Sequence, residues 1–263
     1  MLVRDFAAAF ELLWPADGAE EWDRPGLSVG SLNSSVTGVL LCVDVTDRVL
    51  EEAVEKGANL VLSHHPLILR GVSSLDEDTN KGSLVTQAIR SKVNIFSAHT
   101  NADIVENGVS DVIAKRLGLT NAAPLVPVGS NTGHGRIGNL TEAVTVGELA
   151  EKLVELLPAT ARGVSSSARA ETKVQRVALC GGAGDSFISA AFAAGADVYI
   201  TSDLRHHVTQ EAGLPLIDVS HWASESLWLE VAAGQLASRF ATEKFFVSSV
   251  ATDPWIFTAG RTK

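Results

Sequence analysis

Cysteine is almost missing from this chain: only Cys42 and Cys180 occur among 263 residues. Both stand inside apolar, strand-like segments. They read as buried structural thiols rather than a disulfide or metal ligands, since a cytosolic setting keeps thiols reduced. Long apolar runs are missing too, and none approaches the roughly 18 residues of a membrane span. Basic charge is in deficit, with 21 Lys and Arg against 31 Asp and Glu and a net charge of -10. That balance argues against holding nucleic acid through phosphate contacts and suits a protein that binds cations. The opening segment, Met1 to Pro15, lacks the layout of a signal peptide. Leu2, Phe6, Phe10 and Leu13 among Arg4, Asp5 and Glu11 make an amphipathic helix instead. The expectation is a cytoplasmic globular protein with no membrane partner.

What is present is an alternation of strand and helix patterns. Val36 to Val43 is β-branched and apolar, and Thr46 caps a helix carrying Val49, Leu50, Ala53 and Val54 that Gly57 ends. Leu60 to Ser63 is the next strand. Ser73 to Lys81 reads as a loop, Ser83 to Ser91 as a helix and Val93 to Ala98 as a strand. Asn107-Gly108 keeps Asp103 on a loop, and the following helix starts near Val109. Ala122 to Gly135, marked by proline and glycine, reads as a linker and divides the chain into lobes 1–124 and 125–263. Beyond it come a strand from Gly135 to Leu140, a helix opened by a Thr145 and Glu148 capping box, and a flexible Ser165-Ser166-Ser167. A long helix ends near Phe240, with Glu225 in its first turn and His221 just before it. Phe245 to Ser248 is a last strand.

The chain also repeats itself. Val39-Leu40-Leu41-Cys42, Asp47, Ala53, Gly57-Ala58 and Leu62-Ser63 align without a gap on Val177-Ala178-Leu179-Cys180, Asp185, Ala191, Gly195-Ala196 and Ile200-Thr201. The fold class this implies is α/β: two similar lobes, mixed sheets flanked by helices, and a dinuclear metal site between the lobes.

That site follows from three short clusters of metal-ligand side chains. They are His64-His65 before Pro66, His99 with Asp103, and His221 with Glu225. Imidazole together with carboxylate suits zinc, iron, manganese or nickel, and a carboxylate able to bridge is what a two-metal site about 3.5–4 Å across needs. His64 and His65 alternate sides at a strand end, so the pair serves two neighbouring ions more easily than one. An inert, hydrogen-bonded pair in a turn is the alternative. Asp203 and His207, with His206, occupy the place where the first copy carries its histidines, and supply a proton shuttle or else a solvated loop. Gly181-Gly182-Ala183-Gly184-Asp185-Ser186 lacks the lysine of a P-loop. It either holds an anion on backbone amides or makes a tight turn for close helix packing. Trp222, Trp228 and Trp255 read as packing residues rather than substrate platforms.

The motifs Ser63-His64-His65-Pro66-Leu67-Ile68, His99-Thr100-Asn101-Ala102-Asp103, Thr201-Ser202-Asp203 with His207, and Ser220-His221-Trp222-Ala223-Ser224-Glu225 resemble those of the NIF-three-like family, often labelled GTP cyclohydrolase I type 2 homologs. The resemblance runs from Asp23-Arg24-Pro25-Gly26-Leu27 to Asp253-Pro254-Trp255. It implies a two-lobed α/β subunit, a toroidal homohexamer and two divalent ions per subunit. His65 and Asp103 would hold one ion, His64 and His221 the other, and Glu225 would bridge, with His99 a near neighbour. The activity implied is a hydrolase acting on a nucleotide-like substrate through a metal-bridging hydroxide, with Asp203 or His207 moving protons. A phosphoester is the other substrate class, and a non-catalytic, metal-stabilised ring is the other kind of function. Ser202 stands where the family usually has glycine and Ala102 where a larger apolar residue is usual. The extra central domain of longer relatives is absent.

Overall fold

The computed structural model describes residues 1–129 and 131–259. Helix α1 (Val3–Leu13), strands β1 (Gly26–Val29) and β2 (Val39–Cys42), helix α2 (Asp47–Glu55) and strand β3 (Leu60–Ser63) open the chain. They are followed by α3 (Asn80–Arg90), β4 (Asn94–Ser97), α4 (Thr100–Asp103) and α5 (Val109–Leu117). Next come β5 (Thr120–Pro127), β6 (Gly133–Thr145), α6 (Val146–Leu156), β7 (Ser165–Ser166), β8 (Lys173–Ala183) and α7 (Ile188–Ala193). Then follow β9 (Val198–Ser202), α8 (His206–Gln210), β10 (Leu216–Val219), α9 (His221–Arg239) and β11 (Phe245–Val247).

These elements form two compact units, Met1–Ala102 with Leu229–Thr252, and Asp103–Trp228 with the residues from Asp253 on. Neither unit is one continuous segment, so the lobe boundary expected at residue 124 gives way to one drawn by strand pairing. The decisive pairing is that of β11, which runs parallel to β2 with Phe246 opposite Leu40.

In the first unit the sheet order is β1-β4-β3-β2-β11. The last four strands are parallel to their neighbours, and β1 is antiparallel to β4 at the edge. Strands β2, β3 and β4 are buried at every position, which is why their apolar residues run consecutively rather than alternating. Leu40, Val61 and Ile95 from the strands meet Val49, Leu50 and Ala53 of α2 and Leu84, Val85 and Ala88 of α3. Each large aliphatic side chain buried there stabilises by about 1.5–3 kcal/mol. Thr46 caps α2 by accepting from the Val49 amide. Helix α3 begins at Asn80, inside the expected loop, because the Thr79 hydroxyl accepts from the Gly82 amide and sets the cap earlier.

The second unit carries the sheet β5-β6-β8-β9-β10-β7. Strands β8, β9 and β10 are mutually parallel, and the antiparallel strands β5, β6 and β7 flank them. Its core joins Ala178, Tyr199 and Leu216 to Ile188 and Ala191 of α7. The segment expected to be a linker, Ala122 to Gly135, is mostly strand: β5 and the start of β6 pair, Pro124 opposite Arg136. Its prolines are tolerated because β5 is an edge strand. The Ser165-Ser166-Ser167 stretch, expected to be flexible, is likewise held. Ser166 pairs with Ile217, and the Ser166 hydroxyl donates to the Leu216 carbonyl. The capping box on α6 forms as expected, with Thr145 and Glu148 exchanging hydrogen bonds. No described helix is long and apolar enough to cross a membrane.

The repeat is a repeat of register. Val39 pairs with Leu60, and the residues aligned on them, Val177 and Val198, pair with each other. Both copies are therefore the same unit of strand, helix and parallel strand in each sheet, and the carboxyl ends of those strands are where open α/β sheets carry ligands.

Candidate metal centre

In the first unit the parallel strands end in polar side chains. Asp44 follows β2, His64 and His65 follow β3, and His99 follows β4. The three imidazoles gather tightly, with ring centroids 5.1 Å apart for His64 and His65, 5.3 Å for His64 and His99, and 5.5 Å for His65 and His99. Ligand atoms of all three lie within 4.8 Å of one another. Each ring is oriented through Nδ1. His64 Nδ1 is 2.8 Å from the Ala98 carbonyl, an atom that can only accept, so Nδ1 carries the proton, and in the neutral ring Nε2 is the nitrogen with the lone pair. His65 Nδ1 lies 2.7 Å from Asp44, whose other oxygen accepts from Thr252. His99 Nδ1 lies 2.8 Å from Asp23, itself fixed by the amide and hydroxyl of Thr100. Burial pushes the Asp23 carboxyl up, but hydrogen bonds from His99 and Thr100, the His99 charge and the Arg24 amide outweigh it and bring it down to about 2. Histidines tied this way through one nitrogen are the ordinary metal-ligating form.

In the second unit His221 is the first residue of α9, and Glu225 lies one turn on. His221 Nε2 is 2.9 Å from Glu225 Oε1, about the separation of two neighbouring ligands that each sit 2.0–2.2 Å from one ion. His221 Nδ1 is held 2.7 Å from Asp203, at the end of β9. That hydrogen bond holds Asp203 below the usual carboxylate range against its burial, and the charges of His221 and Arg162 add to it. Asp203 sits at a φ of +58°, in the left-handed region. Asp103 is not on a loop as expected but is the last residue of α4, a turn stabilised by the Asn101 side chain accepting from the His99 amide.

The glycine run at the end of β8 serves this geometry. Its amides are already committed, Gly181 to the Ser110 hydroxyl, Gly182 to Ser224 and Gly184 to Thr201. That favours the close-packing turn over the anion cradle. A Cβ on Gly182 would stand 2.5 Å from Glu225 Oε1 and 3.3 Å from His221 Nε2. One on Gly184 would stand 2.5 Å from the Tyr199 hydroxyl. Cys180, next to this run, is a free buried thiol pushed up to about 12, chiefly by burial and then by Asp103 and Glu225, whose carboxylates both act on it. Cys42 is likewise free and buried, and burial raises it further.

Residues 1–254 match the family described as Duf34/NIF3 (NGG1p interacting factor 3). The chain belongs to the Duf34/NIF3 family. A Streptomyces coelicolor protein named GTP cyclohydrolase 1 type 2 homolog is 42% identical to it, the match covering 94% of this chain and 91% of that one. A Clostridium perfringens protein of the same name is 32% identical over 98% of this chain and all of its own length, 100%. Among solved structures, a Bacillus cereus protein related to NIF3 superposes with a TM-score of 0.92 at 26% identity, covering 98% of this chain and 99% of that one. A hypothetical protein of Staphylococcus aureus gives 0.91 at 29% identity over the same shares, 98% and 99%.

Of the residues expected at the site of this Duf34/NIF3 chain, His64 and His65 come together with His99 in the first unit. His221, Glu225 and Asp203 come together in the second. His207 does not join them: it is exposed on α8 and its ring meets the edge of His206 at 5.1 Å. The Duf34/NIF3 departures are both buried, Ser202 on β9 and Ala102 on α4. Sequence reasoning missed Asp44 and Asp23 as the groups that orient His65 and His99, and Gly182 as the gap Glu225 needs. The signal for Asp44 was its place two residues past a strand of the repeat. Asp23 had none outside the family motif.

Proposed function

We propose that this chain is a metal-dependent hydrolase of a nucleotide-like or phosphoester substrate, with His64, His65, Asp103, His221 and Glu225 holding two divalent ions and Glu225 bridging. What carries the reading is that every histidine of both clusters is oriented through Nδ1 by a carbonyl or carboxylate oxygen, with the ligand atoms of His64, His65 and His99 within 4.8 Å of one another. The donor set of imidazole nitrogens and carboxylate oxygens fits zinc, iron, manganese or nickel. The Gly182 gap beside Glu225 Oε1 is consistent with a carboxylate that must stay free of steric crowding. The two ions, when bound, supply an activated water and stabilise developing negative charge. The protein's part is to hold them, Asp44 and Asp23 by orienting His65 and His99, Asp203 by orienting His221. Asp203, held by His221, is the residue we assign to move protons.

The assembly we propose is a homohexameric ring, as the family resemblance implies, and light scattering giving a mass near six subunits tests it; its cytoplasmic location is the expectation from composition and the opening segment. A second reading, a non-catalytic metal-stabilised scaffold, is favoured by one observation: Asp203 is already engaged by His221, and His207 stands apart on α8. Screening the purified chain against nucleotides and phosphoesters with each divalent metal separates the two. Under the hydrolase reading some substrate is turned over, and His64→Ala and Glu225→Ala abolish it. Asp203→Asn keeps the metals and slows turnover by about 100-fold. No turnover with any metal selects the scaffold.

A further inference from the structure

The sequence pattern makes Trp255 a packing residue, but 55% of its surface is exposed and the Arg162 guanidinium lies over its ring, 5.1 Å from the centroid. Arg162 stands on the loop between α6 and β7, beside Gly163, whose φ of +62° turns the chain. That loop closes over the start of α9. Leu157, Pro158, Thr160 and Val164 line a cavity of about 120 Å³ together with Ser220 and Ala223. Trp255 is tied to the same place, because its amide donates to one oxygen of Asp253 while the Ser220 hydroxyl donates to the other. Ser220 in turn caps α9, accepting from the Ala223 amide just before His221 and Glu225 project. One carboxylate thus joins the tryptophan platform to the helix end that bears the metal-type ligands.

Apart from this stacking, Arg162 has no hydrogen bond or ion pair among the described residues. Its charge is near enough to Asp203 and Asp218 to favour their ionised forms. A guanidinium offers five N–H donors in a planar fork that matches phosphate in two bonds, and a ring beneath it holds that fork in place with its donors free. A lysine at the same position would give a point charge without that geometry. We propose that Arg162, braced on Trp255, recognises a phosphate group of the substrate beside His221 and Asp203. The assignment rests on the reading of this site as one for a nucleotide-like or phosphoester substrate, and it narrows that class to substrates carrying a phosphate away from the reacting bond.

Calorimetric titration of the full chain with GTP and with guanosine tests it, with zinc content measured on the same samples. Wild type is expected to prefer GTP, Arg162→Gln to reduce that preference by about tenfold or more at unchanged guanosine affinity and zinc content, and Arg162→Lys to keep part of it. Trp255→Leu, which leaves the charge and removes the brace, is expected to fall between wild type and Arg162→Gln. An unchanged preference in Arg162→Gln overturns the assignment, and so does a wild type that binds both ligands equally or neither. Following GTP breakdown in parallel keeps the two readings apart. Arg162-dependent binding without turnover leaves the assignment standing and removes the hydrolase. Turnover with an Arg162-independent preference does the reverse.

Discussion

At the scale of single residues, Gly182 is the position where side-chain size, backbone conformation and chemistry meet. Its φ of +67° lies where an L side chain is strained, and any Cβ there is driven against Glu225. Gly182→Ala is therefore expected to cost about 1–2 kcal/mol from backbone strain alone, read by equilibrium denaturation. It is also expected to lower zinc retained per chain after dialysis, because Glu225 has to move. Gly234→Ala is the control, since a Cβ there meets nothing within 4 Å. A Gly182→Ala protein as stable and as zinc-rich as wild type would show that the close approach is dispensable. The histidines themselves were legible from sequence, because ligands on one strand end or one helix turn are necessarily close in number. Their orienting partners were not: Asp44 is 21 residues from His65, and Asp23 is 76 residues from His99. Nothing local marks an acid that will fold back on an imidazole.

At the scale of elements, two buried charges act as clips. Asp111 on α5 takes Arg136 Nε of β6 at 2.9 Å, and the rest of that guanidinium donates to the carbonyls of Gly133, Gly135 and Val105. Arg136 is 2% exposed, so Asp111→Ala leaves a buried cation without its counter-ion. The expected loss is about 3–5 kcal/mol in a denaturant titration, whereas a loss below about 1 kcal/mol would mean that the carbonyls alone suffice. Glu52 on α2 plays the corresponding part in the other sheet, accepting from the Ser249 amide and from the Ser248 and Ser249 hydroxyls just past β11. Glu52→Gln is expected to cost about 1–3 kcal/mol and to speed amide exchange in β11 ahead of β2 and β3. Equal exchange across the three strands would contradict it. The longer helices and inner strands could be read from periodicity and caps, while the short α4 and α8 could not. The β5–β6 hairpin could not, since its prolines and glycines mark a linker as strongly as they mark an edge strand.

At the scale of the whole molecule, the same carboxylates set the acid limit of stability. For Asp111 burial raises the pKa, but Lys115, the Asn107 amide and Arg136 outweigh it; for Glu52 burial is outweighed by Ser248, Ser249 and Lys56. Both folded values lie below the unfolded ones, so their contribution is complete above the ordinary carboxylate pKa near 4 and is lost as pH falls through the folded values. Melting temperature is therefore expected to hold from about pH 7 to pH 5 and to drop below about pH 4, with a shallower drop in Asp111→Asn. An identical slope in that variant would assign the acid limit to other groups. The repeat announced two related sheets correctly, but it could not announce that residues 229–252 return to the first of them, because strand pairing at that distance leaves no local pattern.

That return has a consequence during synthesis. Leu40 leaves the ribosome long before Phe246, the residue that will lie beside it. At ribosomal speeds of about 5–20 residues per second, the β2 edge waits roughly 10 to 40 s for its neighbour. During that interval Val39, Leu40, Leu41 and Cys42, buried at every position in the finished sheet, present an open apolar edge to other nascent chains. A chain arrested before Phe245 is expected to pellet or to stay on chaperones, while one extended past Ser249 is released into the soluble fraction.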